Sequence, residues 1–366
     1  MKILILTNHD LGLYKFRKEV LEALLKDNEV FVSMPRGIFT DKIIEMGCKY
    51  VDTAFERKGT NPFKDLELLK FYKKTIKEVR PDVVLTYTIK PNVYGGLACQ
   101  QLKVPYIANV TGLGSAIENG GLLQFISLNL YKLGLKKADK VFFQNTANRD
   151  FMIEKHAVKN NYDMLPGSGV NLRQYSFNDF PDDSTIDFTY VGRLMKEKGF
   201  ELYLDAAKYI RNKYPDTRFH VCGPDEDNYR DIVKKLNDDG TIIYEGYVDD
   251  MKKIYSKVQC TIHPTYYPEG LSNVLLESLA CSRPIITTDR PGCKEVVEDG
   301  INGFIVKQKD LDDLIAKIEK YLALSNEERK QLGINGRKKV EKEFDRNIVI
   351  NKYLEEIKRI ADKRHE

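Results

Sequence analysis

Two glutamates eight residues apart, Glu269 and Glu277, bracket the stretch of this sequence best equipped for chemistry. The segment from His263 runs as an apolar strand, a loop ending in Glu269-Gly270, and an apolar helix carrying Glu277, with another strand at 284–287. Gly270 permits close backbone approach. Leu271, Ser272 and Asn273 present N–H groups at a helix start, a ready anion site. Glu277 lies about two turns along if the helix begins near Glu269. Flanked by Leu275, Leu276 and Leu279, it reads as half-buried, where an idle carboxylate is costly. Two carboxylates beside a phosphate site suit a sugar nucleotide, one accepting from sugar hydroxyls and the other from ribose.

Other chemistry-bearing residues are more dispersed. Gly12, Gly112-Leu-Gly114 and Gly192 each follow an apolar run, but neither G-x-G-x-x-G nor G-x-x-x-x-G-K-[ST] occurs, which argues against hydride transfer and P-loop ATP hydrolysis. Asp225-Glu226-Asp227 has a spacing that can hold a cation on a diphosphate, yet in a polar loop it reads as a solvated turn, and no metal is expected. His9 follows the first strand and is a candidate for the acceptor site. His156, His220, His263 and His365 lack a ligand-type partner at i, i+4. Lys90 precedes Pro91 at a helix-start signal, so its charge could reach a bound diphosphate.

The elements that position these residues alternate almost from end to end. Apolar runs at 2–6, 29–33, 82–86, 105–108 and 139–144 predict strands, and stretches such as Phe16, Val20, Leu21, Leu24, Leu25 and Leu66, Leu69, Tyr72, Ile76, Val79 have helical spacing. A second set of strands follows at 186–191, 218–222, 241–244, 259–263, 284–287 and 303–306, separated from the first by the Asn-, Asp-, Ser- and Pro-rich stretch 171–185. Buried, non-alternating strands interleaved with helices imply parallel sheets covered on both faces. The fold class is therefore α/β with two Rossmann-like domains, 1–175 and 176–345, and a terminal helix, 346–366, able to pack back on the first. At 366 residues, two cores are what the length requires.

Composition narrows the partners. A net charge of +4 is too small for a dedicated nucleic-acid binder, no apolar run is long enough to span a membrane, and six irregularly spaced cysteines argue against disulfides and zinc. These point to the cytoplasm. Residues 1–180 hold 26 basic against 19 acidic residues, and the remainder 32 against 35, so the first half is the one suited to an anionic partner.

Glu269-x7-Glu277 with its interior Gly-Leu-Ser-Asn resembles the signature of retaining glycosyltransferases of family 4, whose GT-B fold sets two Rossmann-like domains about a central cleft. Tyr190-Val-Gly-Arg-Leu-Met-Lys-Glu-Lys-Gly199 resembles the same family's second element. By that resemblance Arg193 and Lys198 neutralise the donor diphosphate, one as a fork of donors and the other as a point charge. Gly223-Pro224 and Tyr247-Val248 match strand ends that hold the nucleotide base. Gly12 and Gly192 join the donor-binding set, and Glu269, Arg193 and Lys198 form the catalytic set. In the first domain, Leu13-Tyr14-Lys15-Phe16-Arg17, Asn61-Pro62-Phe63, Lys90-Pro91-Asn92 and Val110-Thr111-Gly-Leu-Gly-Ser115 are similar to bacterial enzymes that build capsules and lipid-linked glycans. The acceptor set implied is His9, Tyr14, Arg17, Lys90 and Thr111.

The resemblance implies transfer of an N-acetylhexosamine-type sugar from a UDP-sugar to an undecaprenyl-diphosphate-linked sugar, without cofactor. Two rivals share the architecture: a sugar-nucleotide epimerase, which needs an acid/base pair not evident here, and a non-catalytic subunit of a glycan assembly complex. The apolar stretch 121–135 ends in basic residues. Its pattern predicts packing over most of its length and contact of Lys132, Lys136 and Lys137 with an anionic membrane surface, placing the protein peripherally on the inner face of the cell membrane.

Overall fold

The computed structural model describes residues 1–53, 62–118 and 120–363; Asn61 and His365 lie outside them. The chain forms two compact units, one of Met1–Gly169 with Pro268–Leu271 and Arg346–Glu366, the other of Val170–Tyr267 with Ser272–Asp345.

The first unit is built on a seven-stranded sheet ordered β3-β2-β1-β4-β5-β6-β7. Its strands are β1 (Lys2–Leu6), β2 (Glu29–Met34), β3 (Lys49–Asp52), β4 (Val83–Tyr87), β5 (Tyr106–Val110), β6 (Lys140–Phe143) and β7 (Tyr162–Met164), all paired in parallel. The central β4 and β5 are buried along their whole length, as strands covered by helices on both faces must be. The terminal helix Arg346–Asp362 contributes Val349, Tyr353, Ile357 and Ile360 to the same core as Leu13, Val20 and Leu21 of the helix Asp10–Leu25. Tyr353 also donates its hydroxyl hydrogen to Asn109 Oδ1 at 2.6 Å, tying that helix to β5.

The second unit repeats the plan with six parallel strands ordered β10-β9-β8-β11-β12-β13. They are β8 (Ile186–Val191), β9 (Thr217–Cys222), β10 (Ile243–Gly246), β11 (Cys260–His263), β12 (Ile285–Thr288) and β13 (Gly303–Val306). In both sheets the strand order reverses beside the first strand, between β1 and β4 and between β8 and β11. Ligand sites of open α/β sheets form outside the carboxyl ends of strands at such reversals.

Two strands escape the sequence reading, β3 and β7. Both are short sheet edges without a fully buried residue, so neither carries the apolar run that marks the central strands. In the helix Pro62–Val79 the buried stripe is Leu68, Tyr72, Thr75, Ile76 and Val79, while Leu66 is exposed. The helix Gly121–Leu135 corrects the expected division of labour. Its carboxyl half packs, through Leu128, Tyr131, Gly134 and Leu135, because Gly134 lets the helix close on the backbone of Asn92 and Val93. Its amino half leaves Leu122, Leu123, Phe125 and Ile126 exposed, with Leu133 beyond them, so the unpacked part is the apolar half as well as the basic end. Among the described residues no helix is long and apolar enough to cross a membrane.

Candidate active site

In the second unit the loops following β8 and β11 lie side by side at the strand-order reversal. Pro264 O comes so close to Gly199 that a Cβ there would sit 2.1 Å from it, and Gly199 adopts a φ of +74°, so glycine alone fits. Glu197 O accepts from Tyr266 N–H at 2.9 Å and from the Thr265 hydroxyl at 3.3 Å, which zips the two loops together. The loop after β9 braces them from the other side. Leu194 N–H donates to Pro224 O at 2.8 Å, and a Cβ on Gly223 would lie 1.8 Å from Gly192 O.

This scaffold brings together Arg193, Lys198 and Tyr267. The Arg193 guanidinium carbon lies 5.2 Å, and Lys198 Nζ 4.9 Å, from the centre of the Tyr267 ring. Arg193 Nη1 donates to Glu226 Oε2 at 2.8 Å across a half-exposed pair. Burial works against the Arg193 charge, but bonds to Tyr267 and Glu226 more than offset it and hold its pKa up. Lys198 is only 8% exposed. Burial first, and the neighbouring Arg193 second, lower its pKa from 10.5 to about 7. Behind it the wholly buried His263 is driven down to about 3, mainly by burial and then by the Lys198 charge, and so stays neutral. The role of Tyr267 was not legible from its position in the Tyr266-Tyr267-Pro268 run; only the proximity of the two cations reveals it.

The acidic trio after β9 is engaged within the same scaffold. Asp225 Oδ1 accepts from Tyr229 N–H at 2.9 Å, Asp227 Oδ2 accepts from Lys196 N–H at 3.3 Å, and Glu226 pairs with Arg193. Among the described residues no cluster of three or more His, Cys, Asp or Glu side chains could hold a metal ion. The expected base-holding atoms of Gly223 and Pro224 also have local partners. Gly223 N–H donates to Gly246 O, and Gly223 O accepts from the Tyr244 hydroxyl. Tyr247 lies exposed just beyond β10, followed by the half-buried Val248.

The helix carrying Glu277 begins at Asn273, four residues after Glu269, so Glu277 stands little more than one turn in rather than two. It is half-buried among Leu275, Leu276 and Leu279, all fully buried. Ser272 N–H donates to Gly292 O at 2.9 Å and is engaged. The first intrahelical bond runs from Leu276 N–H to Ser272 O, which leaves the N–H groups of Asn273, Val274 and Leu275 in the first turn, where the helix itself supplies no acceptor.

Glu269 and Gly270 group with the first unit. The side-chain amide of Asn145 donates to Glu269 O at 3.1 Å and to Gly270 O at 2.6 Å, while its Oδ1 caps the helix Thr146–Glu154 by accepting from Asn148 N–H. A Cβ on Gly270 would meet Gln144 Oε1 at 2.2 Å and Thr111 O at 2.5 Å, which explains the glycine and gives the Thr111 backbone a buttressing part. Leu271 packs its side chain against Gly167. Asn145 was missed by the sequence reading. A polar residue between strand and helix signals a cap, but not two bonds to residues more than a hundred positions away.

The remaining first-unit candidates lie after strand ends or on the helix that follows β1, each with defined partners. His9 caps the helix Asp10–Leu25: its Nδ1 accepts from Gly12 N–H at 3.0 Å, so the neutral ring carries its proton on Nε2 and the Gly12 N–H is engaged. Arg17 donates to Gly12 O and lies 4.7 Å from the centre of the Tyr87 ring. Tyr14 stacks on Phe39. Lys90 pairs with Asp65 at 3.0 Å, half-buried, so its charge is balanced locally. Thr88, just after β4, has a φ of +72°, which is strained for a β-branched residue.

Residues 173–339 match the family model described as Glycosyl transferases group 1, and residues 2–145 match Glycosyl transferase 4-like. The chain is 27% identical, over 97% of its length and 97% of the relative, to the N,N'-diacetylbacillosaminyl-diphospho-undecaprenol alpha-1,3-N-acetylgalactosaminyltransferase of Campylobacter jejuni. It is 28% identical to the capsular polysaccharide biosynthesis glycosyltransferase CapM of Staphylococcus aureus, over 78% of this chain and 79% of that one. Among solved structures, HepE of Anabaena in complex with UDP and glucose superposes with a TM-score of 0.79 at 19% identity, covering 97% of this chain and 98% of that one. Sucrose-phosphate synthase of Thermosynechococcus elongatus does so with a TM-score of 0.81 at 17% identity, covering 99% and 100%.

Proposed function

The chain belongs to the group 1 glycosyl transferases, the retaining family 4 with the GT-B fold, and from that premise we propose that it moves an N-acetylhexosamine-type sugar from a UDP-sugar to a sugar carried on undecaprenyl diphosphate, in assembly of a capsular or surface polysaccharide. The observation that carries the donor half is the convergence of Arg193 and buried Lys198 on the ring of Tyr267. Arg193 already meets the Glu226 carboxylate, and two cations held together, one of them largely out of water, favour a further anion beside them. A nucleoside diphosphate is that anion.

In this reading the bond from the anomeric carbon to the phosphate oxygen breaks while negative charge grows on the departing diphosphate. Arg193 meets that charge with a fork of donors and Lys198 with a point charge, in a site already shaped to receive it. The departing phosphate oxygen takes the proton of the acceptor hydroxyl as the acceptor oxygen bonds to the anomeric carbon on the same face, which retains the anomeric configuration. The first-turn N–H groups of the helix at Asn273 add dipolar support. Glu277 takes the ribose hydroxyls and Glu269 those of the donor sugar. No metal enters the step.

The acceptor assignment rests on the first unit, where His9, Lys90 and Thr111 lie just after the carboxyl ends of β1, β4 and β5 and Tyr14 and Arg17 lie on the helix that follows β1, and on the Campylobacter relative, named for a diphospho-undecaprenol-linked acceptor. A lipid-linked acceptor calls for docking at an anionic membrane surface. The exposed Leu122, Phe125 and Ile126, with exposed Lys136 and Lys137 at the other end of the helix and half-buried Lys132 between, supply apolar and basic contacts for it. The experiment is a thermal-stabilisation screen of nucleotide sugars followed by transfer assays on short-chain lipid-diphosphate sugars. Stabilisation by UDP-N-acetylhexosamines, followed by transfer, is expected. Stabilisation confined to another nucleotide, or transfer only to soluble sugars, contradicts the reading.

A further inference from the structure

The central acid of Asp225-Glu226-Asp227 stands apart from its neighbours. Asp225 and Asp227 accept backbone N–H groups and hold loops, whereas Glu226 reaches a charged side chain, and that side chain is Arg193. We infer that Glu226 is a positioning residue for the anionic leaving group: its carboxylate holds Arg193 beside Tyr267 and yields the guanidinium to the donor diphosphate when that binds. The inference rests on the reading of Arg193 and Lys198 as the diphosphate site.

Three observations support it. The Arg193–Glu226 bond is a single contact from Nη1 at 2.8 Å rather than a bidentate clasp, so the rest of the fork is not tied to this carboxylate. The pair is half-exposed, and such pairs contribute at most about 1 kcal/mol, so a diphosphate displaces it at little cost. Finally, Glu226 is anchored through its backbone, with its N–H donating to Leu194 O at 3.4 Å, next to the Arg193 it pairs with. Its side chain can therefore release Arg193 without disturbing the loop. A carboxylate so placed selects for strong anions, because a neutral or weakly charged ligand cannot compete with it for Arg193.

The test is calorimetric titration of the full chain with UDP and with uridine at pH 6, where Lys198 is protonated. Glu226→Gln keeps an acceptor for Arg193 and removes the competing charge, so UDP should bind up to about fivefold more tightly, with uridine unaffected. Glu226→Ala removes the positioning contact as well and should lose that gain. A second readout separates positioning from mere scaffolding. Glu226 helps keep Lys198 protonated, so Glu226→Gln should move the alkaline limb of UDP binding to lower pH. Unchanged UDP affinity together with an unchanged limb, or equal losses in both variants, overturns the inference. Failure of Arg193→Ala to weaken UDP overturns instead the underlying reading of the site.

Discussion

Lys198 is where burial, charge and chemistry meet most sharply. Its pKa in the folded protein, about 7 against an ordinary 10.5, means that the folded chain gives up this proton in a range where the unfolded chain keeps it. Between those values the unfolded state binds more protons, so this residue alone makes stability rise with pH from about 7 upward. On the proposed reading UDP binding has the opposite slope, since the diphosphate would take the protonated amine. Above pH 7 its affinity should fall by as much as about tenfold per pH unit, with proton uptake on binding. Calorimetry in buffers of different ionisation enthalpy checks this, and pH-independent UDP affinity between 6 and 9, or proton release, would contradict it. The two glutamates should separate in the same titration. Glu277→Gln should weaken UDP by about 1–2 kcal/mol through the ribose hydrogen bonds, while Glu269→Gln should leave UDP nearly untouched and slow turnover. Equal losses of UDP would dissolve the assignment of one acid to ribose and the other to sugar. The residue types and spacing of this set were legible in the sequence, but their partnerships were not. Tyr267 beside both cations, Asn145 bonded to Glu269 O and Glu226 on Arg193 are contacts between segments far apart in the chain.

Among the elements, legibility followed burial. β1, β8 and β13 were predicted to the residue, because their apolar runs are bounded by sharp changes in polarity, whereas the half-exposed edges β3 and β7 had no such run. The helix Gly121–Leu135 shows the limit of a pattern argument. An apolar helix was expected to pack, yet only its carboxyl half does, where Gly134 allows close approach, and Leu122, at 75% exposure, and Phe125, at 67%, face solvent. The proposed membrane docking should therefore depend on both features. Replacing Leu122, Phe125 and Ile126 with Ser should weaken binding to anionic vesicles at all salt concentrations. Replacing Lys132, Lys136 and Lys137 with Glu should abolish the salt-sensitive part, since each lysine near the surface contributes on the order of 1 kcal/mol and salt screens it. Both should spare UDP binding, whose proposed cations Arg193 and Lys198 stand in the second unit. Vesicle sedimentation checks this, and wild-type binding by either variant would remove that feature from the docking surface.

For the molecule as a whole, one strand order used twice accounts for the distribution of chemistry. Each sheet reverses its winding beside its first strand, and loops bearing the candidate groups emerge there, His9 and Lys90 in one unit, Arg193 and Lys198 in the other. The doubly wound architecture was legible from alternation alone, because two sets of buried strands interleaved with helices leave few other solutions. What alternation does not convey is which loops touch, and that decides the reaction. The central claim is that this chain by itself transfers a sugar from a UDP donor to a lipid-diphosphate-linked acceptor by stabilising the leaving diphosphate with side chains. Its most direct test is a transfer assay with the purified chain, a UDP-N-acetylhexosamine and a short-chain prenyl-diphosphate sugar, in excess chelator, beside Arg193→Ala and Lys198→Ala. The account predicts an α-linked product from an α-linked donor, with turnover about 10²–10³-fold lower in each variant. An inverted linkage, an epimerised donor without acceptor, strict dependence on a divalent cation, or near-normal turnover in both variants would contradict it.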